Sequence, residues 1–420
     1  MRRYNPLIAF LAVLLLLSIL TSIVGCTSSI KSKDLMDGIT PKKVTEIEDF
    51  TDGNTALRDF SVRLFKECAE DGKSTLLSPL SVFCALSMVA NGAEGETLTE
   101  MESVLGMTRD ELNLYLANYI SSLPEEEKCK LSLANSIWFK DDDLFTVNED
   151  FLQTNADYFG AGIYKTPFDR TTLNDINSWV KKNTDGMIPK VLKEIPDEAI
   201  MYLINTIAFD AEWLSIYEDY QVRDGIFTRE DGKKEDVELM YTTLSRYLED
   251  DLATGFFNYY SGCKYAFVAL LPNEGVSVSE YIESLDGEHI GELLSSRNYH
   301  TVKTAIPKFE VEYTVELPEV LKNMGMNTAF DVYNANFSSL GEYVDKNIYI
   351  GNVTHKTYIE VGERGTRAGA VTVIEMDAGN ASPQPDEIKE VYLDRPFVYM
   401  LVDCQNNVPF FIGTVMSVNN

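Results

Sequence analysis

The sequence predicts an α+β fold in one large domain. Segments with helical spacing dominate the first half of the chain, and segments rich in Val, Ile, Phe and Tyr dominate the second half from Ile200 onward. Helices and strands that are segregated along the chain are typical of α+β proteins rather than of a parallel α/β sheet. The 420 residues are 45% hydrophobic, and no Pro/Gly/Ser-rich seam follows Phe50. We therefore expect a single large core.

The helices are predicted from apolar periodicity and from capping residues. Thr51–Cys68 repeats large apolar residues at helical spacing. Ser78 and Pro79 are a typical cap and first turn, and they begin a second helix that ends before Asn91. Further helices are expected over residues 97–104, 108–123, 148–159, 172–184 and 317–324.

The strands are predicted from β-branched and aromatic runs. Residues 131–139 form one buried run in the helical half of the chain. Gln405, Asn406 and Asn407 suit a hairpin turn between the last two strands. The remaining strands are expected over residues 201–209, 267–272, 304–313, 391–404 and 408–418.

The N-terminus has the pattern of an export signal. A positive start precedes an apolar run over residues 7–20, which is short for a membrane span. Small residues then lead to Cys26, as in a bacterial lipoprotein signal, although Ile23 stands where Leu is usual. We expect removal of residues 1–25, a lipid on Cys26, a flexible tether over residues 26–50, and a position outside the cytoplasm on a membrane. The alternative is a plain secretory signal with an incidental cysteine.

The charge and the cysteines exclude several function classes. The net charge of −30 becomes −32 after residues 1–25 are removed, because that segment holds two arginines and no acid. Such an excess of acid disfavours nucleic acid and anionic headgroups as partners. With only three histidines and no close cysteine pairing, we expect no metal site, disulfide framework or cofactor. The cysteines other than Cys26 are Cys68, Cys84, Cys129, Cys263 and Cys404, of which Cys84 and Cys404 lie in apolar runs and are expected to be buried.

The segment EVGERGTRAGAVT, residues 360–372, is the most informative part of the chain. After a charged turn, small residues alternate with a period of two, which is typical of a strand. Residues 375–387 then form a stretch rich in Pro, Asp and Asn that a protease could reach. On these residues alone, an ordinary edge strand followed by a linker is the simplest interpretation. A phosphate cradle is disfavoured, because no Gly-Lys-Ser/Thr follows.

Several motifs in register resemble the serpin family. They are SPLSVFCALSMVANGAEGET, INSWVKKNTDGMIPKVL, MYLINTIAFDAEW, IPKFEVEYTVELPEVLKNMGM, HKTYIEVGERGTRAGAVT and DRPFVYMLVDCQNNVPFFIGTV. The resemblance covers the chain from about residue 51 to its end, residues 51–420. It implies helices packed around a large central mixed sheet, two further sheets, and an exposed reactive-centre loop over about residues 363–389.

The resemblance also implies a suicide-substrate inhibitor of serine proteases. In that mechanism, cleavage of the loop lets its upstream half insert into the main sheet, and the attached protease is inactivated. The chain departs from the family pattern at Arg364 and at Arg367, where Glu is usual; we expect position 367 to face solvent. No Pro lies between Thr366 and Met376 to break a new ladder. The hinge residues by resemblance are Glu363, Gly365, Thr366, Ala368, Ala370 and Thr372.

A polar cluster matches the family's shutter, the place beneath the main sheet where strands part. Its members are Ser78, Ser81, Asn205 and His355. For Ser78 we also expect a role as helix cap, and for His355 a buried, hydrogen-bonded position.

The sequence brackets the scissile bond without fixing it. Counting forward from Glu363 with the family spacing gives the bond after Gly379, and counting back from Glu390 gives the bond after Pro385. No Lys or Arg lies between Arg367 and Lys389, which argues against trypsin-like targets. Small residues favour an elastase- or subtilisin-like serine protease; an acid-selective protease and a cysteine protease stay open. The candidate residues are Met376, Ala378, Gly379, Asn380, Ala381 and Pro385.

Three rival functions remain. An enzyme is disfavoured, because the chain offers few bases and no GxSxG, HExxH or SxxK motif in a suitable context. A non-inhibitory serpin that acts as a surface binding protein would share the fold and differ at the hinge. A structural lipoprotein would have no protease partner. We expect a monomer without catalytic residues.

Overall fold

The computed structural model describes residues 30–123, 125–126, 128–195, 201–296, 298–366 and 387–419. Within these ranges the fold is α+β, as the sequence predicts, and it has nine helices and three sheets. The helices are α1 (Thr51–Cys68), α2 (Pro79–Ala90), α3 (Gly95–Leu105), α4 (Arg109–Ser121), α5 (Glu149–Phe159), α6 (Arg170–Asn183), α7 (Val278–Ser284), α8 (Gly287–Ser295) and α9 (Pro318–Asn323).

Helix ends follow local capping chemistry. Thr108 and Glu111 form a reciprocal capping box at the start of α4. Gly106 and Gly160 end α3 and α5 in the left-handed conformation that favours glycine. The predicted bounds of α1 are confirmed at both ends, and those of the other predicted helices are confirmed to within two residues.

The main sheet is mixed. In spatial order its path is β1, β6, β4, β7, β16, β15 and β13, and β3 pairs with β4 beside this path. The strands are β1 (Lys33–Asp34), β3 (Glu125–Glu126), β4 (Cys129–Lys140), β6 (Gly162–Thr166), β7 (Met201–Glu212), β13 (Phe309–Glu316), β15 (Asn352–Gly362) and β16 (Gly365–Thr366).

A second sheet packs behind the first, and a small sheet stands apart. The second follows the order β17, β12, β9, β10, β11, β18, β19 and β2, with β8 paired to β9; the small one pairs β5 with β14. The strands are β2 (Thr75–Leu77), β5 (Phe145–Val147), β8 (Val222–Thr228), β9 (Lys234–Glu249), β10 (Ala253–Tyr259), β11 (Tyr265–Pro272), β12 (Tyr299–Pro307), β14 (Gly341–Tyr343), β17 (Ile388–Tyr392), β18 (Phe397–Asp403) and β19 (Val408–Val415).

The core lies between the two large sheets and the helices. Every residue of α2 is buried, as its nearly unbroken apolar sequence requires, and the helix packs against β7 and β19. On the opposite, outer face of the main sheet, α6 covers a second apolar cluster that includes Trp138, Trp179 and Tyr202. The inner face of β7 therefore meets the core, and part of its outer face meets α6.

The segment before α1 lies along the body of the protein. Lys33–Asp34 pairs with the edge strand β6, and the Asp175 carboxylate accepts hydrogen bonds from the backbone N–H groups of Lys31 and Ser32 and from the Ser32 hydroxyl. Ile30 packs against the cluster beneath α6. The flexible tether predicted for residues 26–50 is therefore replaced, over its described part, by a strap. The open edge of β6 and the Asp175 carboxylate supply its partners, which composition alone does not reveal.

Candidate functional site

The site begins where β15 ends. The stem of the reactive loop, residues 363–366, makes a tight turn and re-enters the main sheet as β16, between β15 and β7. Gly365 has a φ of +153°, and a Cβ at this position would lie 1.9 Å from the carbonyl oxygen of Ala211. Only glycine fits such a close approach between two backbones. Gly365 is thus a requirement of the turn.

β16 holds β7 and β15 apart at one end. Thr366 pairs with Val361 on one side and with Ala211 on the other. At the other end, β7 and β15 pair directly, with Asn352 opposite Tyr202 and Val353 opposite Leu203. We call the facing segments between these points, residues 204–210 of β7 and 354–360 of β15, the receptor gap.

Four contacts fix the stem. The backbone N–H of Trp213 donates to the Arg364 carbonyl at 2.8 Å, and its indole N–H donates to the Gly362 carbonyl at 2.8 Å. The Tyr217 N–H donates to the Glu363 carbonyl at 2.9 Å. Lys308 Nζ lies 2.7 Å from the Glu363 carboxylate. The turn is therefore held from two places in the body, the segment that follows β7 and the junction of β12 and β13.

Lys308 and Glu363 at the turn stabilise each other's charged forms. Hydrogen bonds to Glu363 and Glu238 raise the pKa of Lys308 above its ordinary value. Burial alone would raise the pKa of Glu363, but the hydrogen bond and charge of Lys308 together with a backbone hydrogen bond leave it below its ordinary value. Both groups are thus charged at neutral pH.

Thr366 faces the core. It is 2% exposed, and its hydroxyl shares a hydrogen bond with the hydroxyl of Tyr260. Tyr260 in turn stacks on Trp213 with ring centroids 4.5 Å apart. Because strand residues alternate between faces, the inward position of Thr366 sets the parity for a strand that continues from it.

The shutter residues are only partly brought together. The backbone N–H of Ser78 donates to His355 Nε2 at 3.0 Å, and burial lowers the pKa of His355 to about 4, so the ring is neutral. The Ser81 hydroxyl is buried and has no hydrogen-bond partner in the described part of the chain. Asn205 is described by its backbone alone and pairs with Asn135.

One expectation for this cluster is wrong. Ser78 does occupy the position before α2, but its hydroxyl makes no cap and donates instead to the carbonyl of Phe410 at 2.9 Å. The Phe410 carbonyl on the neighbouring strand β19 is a fixed acceptor, so the hydroxyl joins α2 to the sheet and does not cap the helix. The buried, hydrogen-bonded position of His355 is confirmed.

Several predicted residues lie outside the described ranges. They are Cys26, the hinge residues Ala368, Ala370 and Thr372, and the scissile-bond candidates Met376, Ala378, Gly379, Asn380, Ala381 and Pro385. The chain is described again from Glu387, and β17 then pairs with β12 in parallel. No helix of the described residues is long and apolar enough to cross a membrane, and the same residues contain no group of three potential metal ligands.

The residues that hold the stem carry little signal in the sequence. Trp213, Tyr217, Tyr260 and Lys308 all come from elements distant in sequence. Only Trp213 carried a signal, as the last residue of the motif MYLINTIAFDAEW that resembles the family. The others act through long-range contacts that no local pattern encodes.

The main sheet is mixed, and at one end its strands β7 and β15 are separated by the short strand β16. The chain belongs to the serpin family, because the family model described as Serpin (serine protease inhibitor) matches residues 55–418. A serpin-like protein of Thermococcus kodakarensis is 29% identical over 371 residues, which cover 86% of this chain and 85% of that one. Human neuroserpin is 26% identical over 380 residues, which cover 86% of this chain and 90% of that one.

Solved structures agree with this assignment. The thermophilic serpin tengpin in its native state is 45% identical, with a TM-score of 0.86 and coverage of 92% of this chain and 100% of that chain. The latent state of tengpin gives a lower TM-score of 0.78 at 42% identity, with coverage of 90% and 100%. The present structure is therefore more similar to the native state.

Proposed function

We propose that this chain is a suicide-substrate inhibitor of serine proteases that traps its target by inserting the cleaved loop into the receptor gap. The observation that carries the proposal is the position of Thr366. This last residue of the stem already lies between β7 and β15 and pairs with both. Insertion would therefore extend an existing ladder and would not need to nucleate a new one.

The register of that ladder predicts where each loop residue would go. Continued from Thr366, residues 367–373 would lie opposite residues 360–354 of β15 and 210–204 of β7. The receptor gap thus has room for seven residues. Insertion beyond them would have to separate the direct pair of Val353 and Leu203.

The side chains of the loop suit this register. Ala368, Ala370 and Thr372 share the parity of Thr366 and would face the core. Their neighbours on β15 would be Ile359, Thr357 and His355, which are all buried. Small inward side chains can enter such a packed layer without forcing it apart, whereas large ones would overpack it. Thr372 would arrive level with the shutter.

The mechanism is a race between insertion and hydrolysis. A serine protease attacks the loop and forms an acyl-enzyme. The new chain end frees the upstream half of the loop, which zips into the gap and carries the protease with it. Hydrolysis of the acyl-enzyme requires an intact protease active site. Because insertion distorts that site, the covalent complex persists. Inhibition follows when insertion is faster than deacylation.

The class of target protease follows from the residues around the expected scissile bond. The segment between Met376 and Asp386 has small and acidic residues and no Lys or Arg. A protease with a shallow or small primary pocket, such as an elastase- or subtilisin-like enzyme, would accept these residues, whereas a trypsin-like pocket needs a cation. We expect the protein to act as a monomer, without cofactor, at the outer side of a membrane through a lipid on Cys26.

The anchor would hold the body close to the membrane. The chain is strapped to the body from Ile30, which leaves four residue steps from Cys26, a span of at most about 14 Å. Because Ile30 packs beneath α6, the α6 side would lie nearest the lipid. Labelling with a radioactive fatty acid would test the anchor; Cys26→Ser should abolish both the label and the membrane association.

The inhibitory function is tested by incubation with pancreatic elastase and with subtilisin. We expect a complex that survives boiling in SDS, with a size close to the sum of protein and protease, and a new fragment whose mass places the cut between residues 376 and 386. Clean cleavage without a complex would favour the non-inhibitory binding protein instead.

Two neighbouring substitutions provide a matched test of insertion. Ala370→Gln places a long polar side chain against buried Thr357, and Val371→Gln places the same side chain on the outer face, level with Lys356. We expect Ala370→Gln to divert the reaction towards cleaved product. Val371→Gln should need the same number of inhibitor molecules per inactivated protease as the wild-type protein. If both variants give the same fraction of cleaved product, position 370 does not face the core after insertion.

A further inference from the structure

Two cysteines that are distant in sequence lie at the same end of the second sheet, on neighbouring chain segments. Cys263 is exposed in the turn that joins β10 to β11, and Cys404 is half-buried just after β18. Both are free, and the other described cysteines, Cys68, Cys84 and Cys129, are buried. Their separation of 141 positions hid this neighbourhood from the sequence.

The strand register fixes the spacing of the pair. Tyr265 lies opposite Asp403, and the N–H of Cys404 donates to the carbonyl of Lys264 at 2.9 Å, so the ladder extends one residue past both strands. Cys263 is therefore one step diagonal to Cys404. Regular strand spacings, about 5 Å between strands and about 3.4 Å per residue, would place their Cα atoms about 6 Å apart. Disulfides typically span 4.4 to 6.8 Å between Cα atoms.

The backbone of Cys263 allows its side chain to leave the strand alternation. Its φ is +57°, and its N–H closes a turn onto the carbonyl of Tyr260 at 2.9 Å. In a regular strand, Lys264 would share a face with Cys404 and Cys263 would point to the other face. Because Cys263 is a left-handed turn residue, strand alternation does not set the direction of its side chain. Burial and the charge of Asp403 raise the pKa of Cys404, and Cys263 adds a smaller effect in the same direction.

We propose that Cys263 and Cys404 form a reversible disulfide that ties the β10–β11 turn to the end of β18. The turn begins at Tyr260, whose hydroxyl bonds with Thr366, so the bond would brace the element on which the loop stem rests. This proposal does not depend on the inhibitory function.

The oxidant would be a low-molecular-weight disulfide. The exposed Cys263 thiolate attacks one sulfur of the reagent, the reagent's S–S bond breaks, one thiolate leaves, and a mixed disulfide remains on Cys263. Cys404 then loses its proton to solvent, its sulfur attacks Sγ of Cys263, and the second reagent thiolate leaves. Two protein thiols are oxidised, and one reagent disulfide is reduced to two thiols. Cys263 acts first because burial, followed by the charge of Asp403, raises the pKa of Cys404 to about 12.

Peptide mapping of the full chain tests the pair directly. The folded protein, kept in mild detergent, is treated with oxidised glutathione, alkylated in denaturant and digested with trypsin. Tryptic fragments 247–264 and 390–420 each contain one cysteine of the pair. We expect these fragments to be joined, with a mass two hydrogens below their sum, and to separate on reduction. Cys263→Ser and Cys404→Ser should each abolish the joined species.

The wild-type protein alone can overturn the proposal. If Cys404 is recovered fully alkylated from the folded, oxidised protein, with Cys263 either alkylated or bound to glutathione, the two sulfurs do not meet. Oxidation in denaturant serves as the comparison, because it should scramble the pairing among all cysteines, whereas the folded protein should give this pair alone.

Discussion

Lys308 and Glu363 form an ion pair of 2.7 Å at the first turn of the reactive loop, and Glu238 shares the same lysine at 2.9 Å. The pair joins the junction of β12 and β13 to the residue where the chain leaves β15. It therefore couples the second sheet to the hinge of the loop. Trp213 and Tyr217 hold the same turn through its backbone, so the charge pair acts on a preformed bend.

Glu363→Lys should loosen this turn. The two side chains are about one-third exposed, so the loss of the pair alone costs less than about 1 kcal/mol, and the new repulsion with Lys308 adds to it. We expect a lower urea midpoint for the intact protein and faster loss of inhibitory capacity on storage. Glu319→Lys alters a pair with Lys322 that is far more exposed on its acidic side, and it is the control that should leave both properties unchanged.

Acid should destabilise the intact protein through His355. Burial lowers its pKa from the ordinary value of 6.5 to about 4. Between these pH values the unfolded chain binds a proton that the folded protein excludes, so stability falls as the pH drops through this window, by up to about 3 kcal/mol. Urea midpoints at pH 7 and pH 4.5 measure the effect. His355→Asn should reduce the difference between the two pH values, and an unreduced difference would assign the acid sensitivity to other groups.

Arg367 should favour insertion. The register places it level with Glu360 and Asp210 on the outer face, and Glu360 already lies opposite Glu310 on β13. Like charges opposite one another destabilise a sheet, and an intervening cation relieves them. We expect Arg367→Glu to increase the fraction of protein cleaved without complex formation, and the increase to shrink at high salt.

Arg364→Glu is the control for this substitution. It makes the same charge change in the turn, outside the inserted stretch, and should leave the partition between complex and cleaved product close to that of the parent. If both variants shift the partition equally, the effect is one of net charge and not of register.

The N-terminal strap should depend on Asp175. Its carboxylate accepts three hydrogen bonds from Lys31 and Ser32. Because hydrogen bonds to a charged group contribute about 1.5 to 3 kcal/mol each, Asp175→Ala should expose residues 30–50 to proteolysis while the body stays folded. Limited digestion with mass analysis measures this. Asp175→Asn keeps one acceptor oxygen and should have a smaller effect.

The sequence was most informative where neighbours in the chain act together. Helix α1, the buried helix α2 and the central strand β7 follow from apolar periodicity and capping. β8 and β9 were missed, because both are rich in charged residues and much of their length is exposed, so the apolar signal of a strand is weak. A local sequence pattern therefore predicts a strand only where one face of that strand, or both faces, are buried.

The candidate site was predictable in part. The inward parity of Thr366 follows from local alternation, whereas the need for Gly365 comes from its close approach to the carbonyl of Ala211 on β7. The anchoring roles of Lys308 and Tyr260 do not follow from local pattern either, because each depends on a contact made across the fold. The strap over residues 30–50 was missed for the same reason: its partners, β6 and Asp175, lie more than a hundred residues away.

Hydrogen exchange of the receptor gap, before and after a cut in the loop, tests loop insertion most directly. The amides of residues 204–210 and 354–360 would be followed in intact protein and in protein nicked between residues 376 and 386. Each segment is already paired on its other side, with β4 or β13, so we expect the amides that point into the gap to become strongly protected after cleavage. Exchange rates that stay the same in the nicked protein would contradict insertion.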